Sequence, residues 1–241
     1  MSIIKTKGIV FKSIKYRETS LIVDIYTREK GLLSFIVNGV RKSKSRMGAS
    51  LFQHSSLVDM VAYHKQGGGL CRIKEIKSAY PYATIPYTIL KSSIALFMLE
   101  LARNSIIEEE ENYPLYDFLE SQFILLDTHT DKVSNLHIKF MLELTKHIGF
   151  YPDVSGDSDT GILDLEGGRF VSEHFMGSYV LDVTESRYIR SLIDIPSDQA
   201  HNLVIPKTSR KKIIEGMIKY YRLHIESFKP LKSYEVLQQL F

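Results

Sequence analysis

Two hydrophobic periods divide the chain. Through residues 1–80 the period is close to two. In "TSLIVDIY" Leu21, Val23 and Ile25 alternate with Ile22, Asp24 and Tyr26, and in "SLVDMVAY" Val58, Met60 and Ala62 alternate with their neighbours. Turn residues punctuate the pattern at "REKG" (28–31) and "KQGGG" (65–69). Five strands are predicted, near 3–14, 19–28, 31–38, 55–64 and 70–79. Five short antiparallel strands suit a small closed barrel without exposed edges. The five-stranded nucleic-acid-binding barrel, the OB-fold, leads, and an SH3-like barrel fits the pattern nearly as well.

Beyond "YPYATIP" (80–86) the period becomes 3.6. Leu90, Ile94, Phe97 and Leu101 line one face of a helix near 87–107. Leu115, Phe118, Leu119, Gln122 and Leu126 suit a second, and Leu136, Phe140, Leu144 and Ile148 a third. "GILDLEGGRFVS" (161–172) predicts a hairpin turning at Gly167-Gly168. Shorter helices are predicted over 184–195 and 197–204, a long one over 209–227, and a last short one in "SYEVLQQLF". The expected fold is therefore α+β: an N-terminal five-stranded OB-fold barrel (1–80), then a helical domain (81–241) with a small β-hairpin inserted near 150–175.

Charge sharpens this division. The 241 residues carry a net +3, which hides strong segregation. Residues 1–80 hold 15 Lys and Arg against 5 Asp and Glu; residues 81–206 hold 8 against 20; residues 207–241 hold 8 against 3. Basic ends attract polyanions and an acidic middle repels them. The densest cluster is "NGVRKSKSRMG" (38–48), with Arg41, Lys42, Lys44 and Arg46 and no acid among them. The single cysteine, Cys71, permits no internal disulfide and fits a reducing cytoplasm; in a predicted strand it reads as a small buried hydrophobe. The N-terminus "MSIIKTKGIV" does not read as a secretory signal. "IALFMLELA" (94–102) carries Glu100 and is too short to span a bilayer, so no membrane partner is expected.

The segment "GIVFKSIKYRETSLIVDIYTREKGLLSFIVNGVRKSKSR", Gly8 to Arg46, resembles the N-terminal signature of the RecO family of bacterial DNA repair and recombination mediators. The likeness lies in a strand ending near a Tyr and a Glu, a strand ending in Thr-Arg-Glu-x-Gly, and a strand leading into Gly-x-Arg-x-x-x-Ser-Arg. "FMLELTKHIGFYPD" continues it more loosely. The resemblance implies an OB-fold barrel followed by a helical domain. It also implies binding of single- and double-stranded DNA, annealing of complementary strands, and help in placing recombinase on gaps coated by single-strand-binding protein. RecR is the implied partner, and the implied location is the cytoplasm, associated with the nucleoid.

The expected DNA-binding residues are Lys12, Lys15, Tyr16, Arg17, Arg28, Lys30, Arg41, Lys42, Lys44, Arg46, Arg72 and Lys74, at strand ends and in connecting loops. Tyr16 beside Arg17 can offer a stacking face to an unpaired base. A second expectation concerns Lys207, Arg210, Lys211 and Lys212. With Ser209 as N-cap, Arg210 to Lys212 would occupy the first turn of the long helix, against its dipole, and so offer charge to an anion. The resemblance suggests a DNA phosphate or the acidic C-terminal tail of single-strand-binding protein; a solvated basic turn that binds neither stands ahead of both, and of the two anions the tail is preferred.

Many family members hold a structural zinc with two cysteine pairs, but "YPDVSGDSDTGILDLEGGRF" contains no cysteine. No metal and no cofactor is expected. The hairpin must then be held by packing, through Ile162, Leu163, Leu165 and Phe170. Ser155, Asp157, Asp159 and Glu166 fall at calcium-loop positions, but Thr160 stands where the sharp turn needs glycine. No nucleotide-phosphate loop is present, and Glu108 to Glu111 point in different directions around a helix, so no enzyme is predicted. Three function classes remain: a DNA-annealing recombination mediator, an OB-fold RNA-binding or regulatory protein, and, more distantly, a nuclease.

Overall fold

The computed structural model describes residues 2–40, 48–65, 68–106, 110–130, 133–155 and 161–240. Five strands, β1 (Ser2–Tyr16), β2 (Ser20–Thr27), β3 (Gly31–Val37), β4 (Leu57–His64) and β5 (Cys71–Tyr80), close into a barrel in the order β1-β2-β3-β5-β4. One parallel step, Phe35 opposite Cys71 and Ile36 opposite Arg72, joins β3 to β5. This is the OB-fold, and the SH3-like alternative falls away.

β1 serves two partners: Ser2 to Ile9 pair with β4, and Gly8 to Tyr16 pair with β2. It crosses from one to the other at Gly8, where a Cβ would lie 2.5 Å from the side chain of Ile25. The inward residues Val10, Val23, Ile25, Phe35, Val58, Met60, Ala62 and Cys71 fill the barrel, and Phe52, from the 3-10 turn Ala49–Phe52, joins them. The period-two pattern is thus one buried face, as its alternation requires.

Six α-helices follow: α1 (Ile89–Ser105), α2 (Tyr113–Thr128), α3 (Leu136–His147), α4 (Val183–Asp194), α5 (Lys207–His224) and α6 (Lys232–Leu240), with a hairpin of β6 (Ile162–Asp164) and β7 (Arg169–Val171). The chain forms two compact units, Met1–Tyr87 with Ile107–Asp127, and Thr88–Ile106 with Thr128–Phe241. The chain enters the second unit with α1 and returns to the first with α2.

In the first unit, α2 buries Leu115, Tyr116, Leu119, Phe123 and Leu126. The Tyr116 ring stacks at 6.2 Å on Tyr26, which stacks at 5.4 Å on Phe11. Asp127, 1% exposed, ends the helix by accepting hydrogen bonds from the backbone N–H groups of Ala83, Thr84 and Ile85, each at 2.8 Å. Burial alone would raise this carboxyl, but the three N–H donors hold it below the usual carboxylate range.

In the second unit α3 is the most buried helix, with Ile138, Phe140, Met141, Leu142 and Leu144 sealed from water. Lys139 is buried with them because its Nζ donates to the Leu192 carbonyl at 2.7 Å, capping the end of α4, and pairs with Glu143 at 2.7 Å. The hairpin buries Ile162, Leu163, Leu165 and Phe170, the four residues expected to hold it. Ser186 of α4 adds a bridge, accepting from Leu163 N–H at 2.9 Å and donating to the Leu181 carbonyl at 2.9 Å.

Two expectations need correction. Residues 197–204 form a 3-10 turn, Ser197–Asn202, rather than an α-helix. The long helix starts at Lys207 after Pro206, whose extended backbone supplies the N-cap, so Ser209 lies buried inside the first turn. The Arg210 N–H already donates to the Pro206 carbonyl at 2.9 Å. Arg210, Lys211 and Lys212 therefore sit in the second turn, where the dipole argument loses most of its force. Among the described residues no helix is long and apolar enough to cross a membrane.

Candidate nucleic-acid interface

Strand alternation sets the outer face of the barrel. Ile14 pairs with Ile22, Ile22 with Ile36, and Ile36 with Arg72, so three isoleucines and an arginine form one row across four strands. Ile14 is 46% exposed and Arg72 is exposed. The row beside it runs Lys12, Asp24, Ser34, with the Ser34 hydroxyl donating to Asp24 at 2.7 Å. On the other side lie Tyr16 and Ser20, whose hydroxyl donates to Asn38 at 3.0 Å. Lys74, the extra residue at a β-bulge, follows Arg72 along the exposed edge and approaches Glu75 at 3.9 Å.

Arg17 sits at the end of this face with φ 54°, a left-handed conformation that non-glycine residues rarely hold. Its guanidinium lies 5.3 Å from the centre of the Tyr16 ring. Arg17, Glu18, Thr19, Ser20, Asn38 and Gly39 line a depression of about 660 Å³. Val40, the last described residue before the basic run, leaves β3 at this same end. Arg41, Lys42, Lys44 and Arg46 themselves lie outside the described residues.

The structure thus brings together Lys12, Tyr16, Arg17, Arg72 and Lys74. Lys15 is exposed but alternates to the other side of β1. Arg28 and Lys30 lie elsewhere, in the β2–β3 turn at the opposite end of those strands. There the Arg28 guanidinium grips Asp117 of α2 with two hydrogen bonds, 2.7 and 3.0 Å, over the Tyr113 ring at 4.8 Å. Its hydrogen bond to the carboxylate holds the guanidinium pKa above the ordinary arginine range and that of Asp117 below the ordinary aspartate range. Lys30 faces Glu111 at 3.8 Å, and Lys7 faces Glu120 at 3.0 Å. Glu111 is thereby an exposed ion-pair partner of the barrel. The sequence-based reading missed the isoleucine row, although β-branched residues at outward positions of alternating strands were its signal.

The second unit holds a different basic site. Lys207, Thr208, Arg210, Lys211 and Ile214 of α5 face Tyr234, Glu235, Leu237, Gln238 and Gln239 of α6 across a cavity of about 570 Å³, with His137 on its floor. His137 is fully buried, and burial, then the Arg210 charge, lower its pKa to about 3. Burial likewise lowers the Arg210 pKa. Glu100 of α1 positions one wall by accepting from the first N–H groups of α6, Lys232 at 3.1 Å and Ser233 at 2.8 Å. Lys212 turns away, pairing with Asp182 at 3.2 Å and Glu185 at 4.0 Å. Lys211 approaches Glu215 at 3.9 Å. Lys207, Arg210 and Lys211 thus share the cavity and Lys212 does not.

No group of three or more His, Cys, Asp or Glu is arranged to hold a metal among the described residues. Asp157, Asp159 and Thr160 of the calcium-like loop, with Glu108 and Glu109, lie outside them.

Comparison with known proteins assigns both halves of the chain. The family described as Recombination protein O N terminal matches residues 1–82, and Recombination protein O C terminal matches residues 86–235. The chain is 38% identical to the DNA repair protein RecO of Flavobacterium psychrophilum over 239 residues, 99% of each chain. It is 38% identical to that of Flavobacterium johnsoniae, over 99% of each, and 37% identical to that of Phocaeicola vulgatus, over 98% of each.

Proposed function

We propose that this chain, which belongs to the RecO family of DNA repair proteins, binds single- and double-stranded DNA on the outer face of its barrel and anneals complementary strands there. The observation that carries the proposal is the row Ile14, Ile22, Ile36 and Arg72, flanked by Lys12, Tyr16, Arg17 and Lys74. Apolar and aromatic surface takes the faces of unpaired bases, while the cations track phosphates. Such contacts read no sequence, which suits a protein that must accept any pair of complementary strands. Lys15 at the rim, and Arg41, Lys42, Lys44 and Arg46, which follow Val40 in sequence, are the further cations assigned to phosphate.

The proposed cellular task is to help place recombinase on DNA coated by single-strand-binding protein, together with RecR. The acidic C-terminal tail of single-strand-binding protein is assigned to the α5–α6 cavity. Lys207, Arg210 and Lys211 offer charge to its carboxylates, and Ile214, Tyr234 and Leu237 offer apolar surface. A cavity of this kind suits a chain end and has no room for a duplex.

A strand-annealing assay tests the first part, without nucleotide and with or without magnesium. Complementary strands should anneal intact in both conditions. Shortened strands in magnesium would support a nuclease, and binding to RNA without annealing would support a regulatory protein. Titration with a peptide of the acidic tail tests the second part: Arg210→Glu with Lys211→Glu should abolish peptide binding and leave naked-DNA binding in place. Equal loss of both would assign the cavity to a DNA phosphate.

A further inference from the structure

The charge of the barrel changes once its structural neighbours are included. Residues 1–80 carry +10, but the unit also contains residues 107–127, which bring seven carboxylates and no Lys or Arg, leaving +3. Three of those carboxylates are spent on one place. Glu111, Asp117 and Glu120 face Lys30, Arg28 and Lys7 at 3.8, 2.7 and 3.0 Å. The cations form one cluster, since Arg28 N–H donates to the Lys7 carbonyl at 3.1 Å and Lys30 follows in the same turn.

These pairs are not what attaches α2. They are largely solvent-exposed, and exposed ion pairs add little to stability. The buried Tyr116, Leu119 and Phe123 and the Asp127 hydrogen bonds hold the helix instead. What the pairs do change is the field. A cation already neutralised by a carboxylate does not neutralise a phosphate, so it releases none of the counterions condensed on the DNA and adds nothing to the entropic drive for binding. The Arg28 site even has the geometry of phosphate recognition: a guanidinium fork closed on two oxygens, above an aromatic ring.

We infer that α2 is a built-in occupant of a second polyanion site on the barrel. Its carboxylates stand on Lys7, Arg28 and Lys30 where phosphates would otherwise bind, and they confine DNA to the face and end marked by Arg17 and Arg72. This rests on the reading that the barrel binds DNA. It makes Glu111, Asp117 and Glu120 determinants of the path and length of the bound strand, although none of them touches it.

The test measures the salt dependence of binding to a dye-labelled thymidine oligonucleotide, using the full chain. Glu111→Gln, Asp117→Asn and Glu120→Gln together should steepen the slope by about 2–3 units and lengthen the occluded site. Adding Lys7→Ala, Arg28→Ala and Lys30→Ala to that variant should return the slope to the native value. The three alanines alone, in the native background, should leave the slope unchanged. An unchanged slope in the carboxylate variant would overturn the inference. So would a gain that survives loss of the three cations, or flattening by the alanines alone. If Asp117→Asn prevents folding, Glu111→Gln with Glu120→Gln should still steepen the slope, by about 1–2 units. Native protein that does not bind the oligonucleotide would instead refute the underlying DNA-binding proposal.

Discussion

The barrel face and the α5–α6 cavity are both basic, yet they differ in shape and in what answers their charge. The face is open, built from strand residues at alternating positions, and edged by Arg17 and Arg72, which have no carboxylate within ion-pairing distance among the described residues. The cavity is closed on one side by a fully buried histidine, and Lys211 and Lys212 beside it pair with Glu215, Asp182 and Glu185. An open face edged by Arg17 and Arg72 suits a polymer of any length, even with Lys74 paired to Glu75, and a walled cavity suits a chain end. Net charge alone would have scored the two alike, so shape and local neutralisation carry the distinction.

The largest expected effect breaks the face. Replacing Arg41, Lys42, Lys44 and Arg46 by alanine should flatten the salt dependence of DNA binding by about 3–4 units and weaken binding for every sequence. Salt titrations of the variant against the native chain check this, with peptide binding at the cavity unaffected.

Next in size is the floor of the cavity. His137 has a folded pKa of about 3, below its unfolded value, so the unfolded chain binds the extra proton between about pH 6.5 and 3. Stability from this group is complete above that window and falls by about 1.4 kcal/mol per pH unit as the pH drops through it. Urea titrations across that range should show the decline, and His137→Leu should remove its share of the slope.

A smaller loss separates α2 from the residues it anchors. Asp127→Ala leaves three N–H donors without their carboxylate and should cost about 3 kcal/mol in urea unfolding. Because the folded carboxyl is held below its ordinary value, its contribution is present above about pH 4 and fades as the pH falls further. The smallest effect expected is none: chelators should leave the melting temperature unchanged, because the region of the family's zinc site has no cysteine. A stoichiometric zinc per chain would contradict this.

Most of the fold was legible because its signals are local. Alternation in "TSLIVDIY" and the glycines of "KQGGG" placed strands and turns within a few residues, and the apolar side of the hairpin named its own packing residues. The start of α5 was misread because serine is a strong N-cap, whereas here Pro206 supplies the extended residue and Ser209 is buried one turn inside. Part of the candidate surface was legible for the same local reason: Lys12, Tyr16, Arg17, Arg72 and Lys74 lie on β1 and β5 or at their ends, close to where those strands were predicted. Arg28 and Lys30 looked equivalent to them, since their partners Asp117 and Glu111 are more than eighty residues away in sequence. No period or turn signal carries that pairing. Likewise, "SYEVLQQLF" showed only a short last helix, and nothing local marked Tyr234 and Leu237 as lining a cavity opposite α5.

DNA binding on the open face depends most directly on the cations at the free end of the barrel. Arg17→Ala with Arg72→Ala, measured beside Arg28→Ala with Lys30→Ala, compares two pairs of cations of equal charge on one barrel. The first pair should flatten the salt slope by about 1.5–2 units and slow annealing, while the second should leave both unchanged. Equal flattening by the two pairs, or flattening by Arg28 and Lys30 alone, would contradict this dependence.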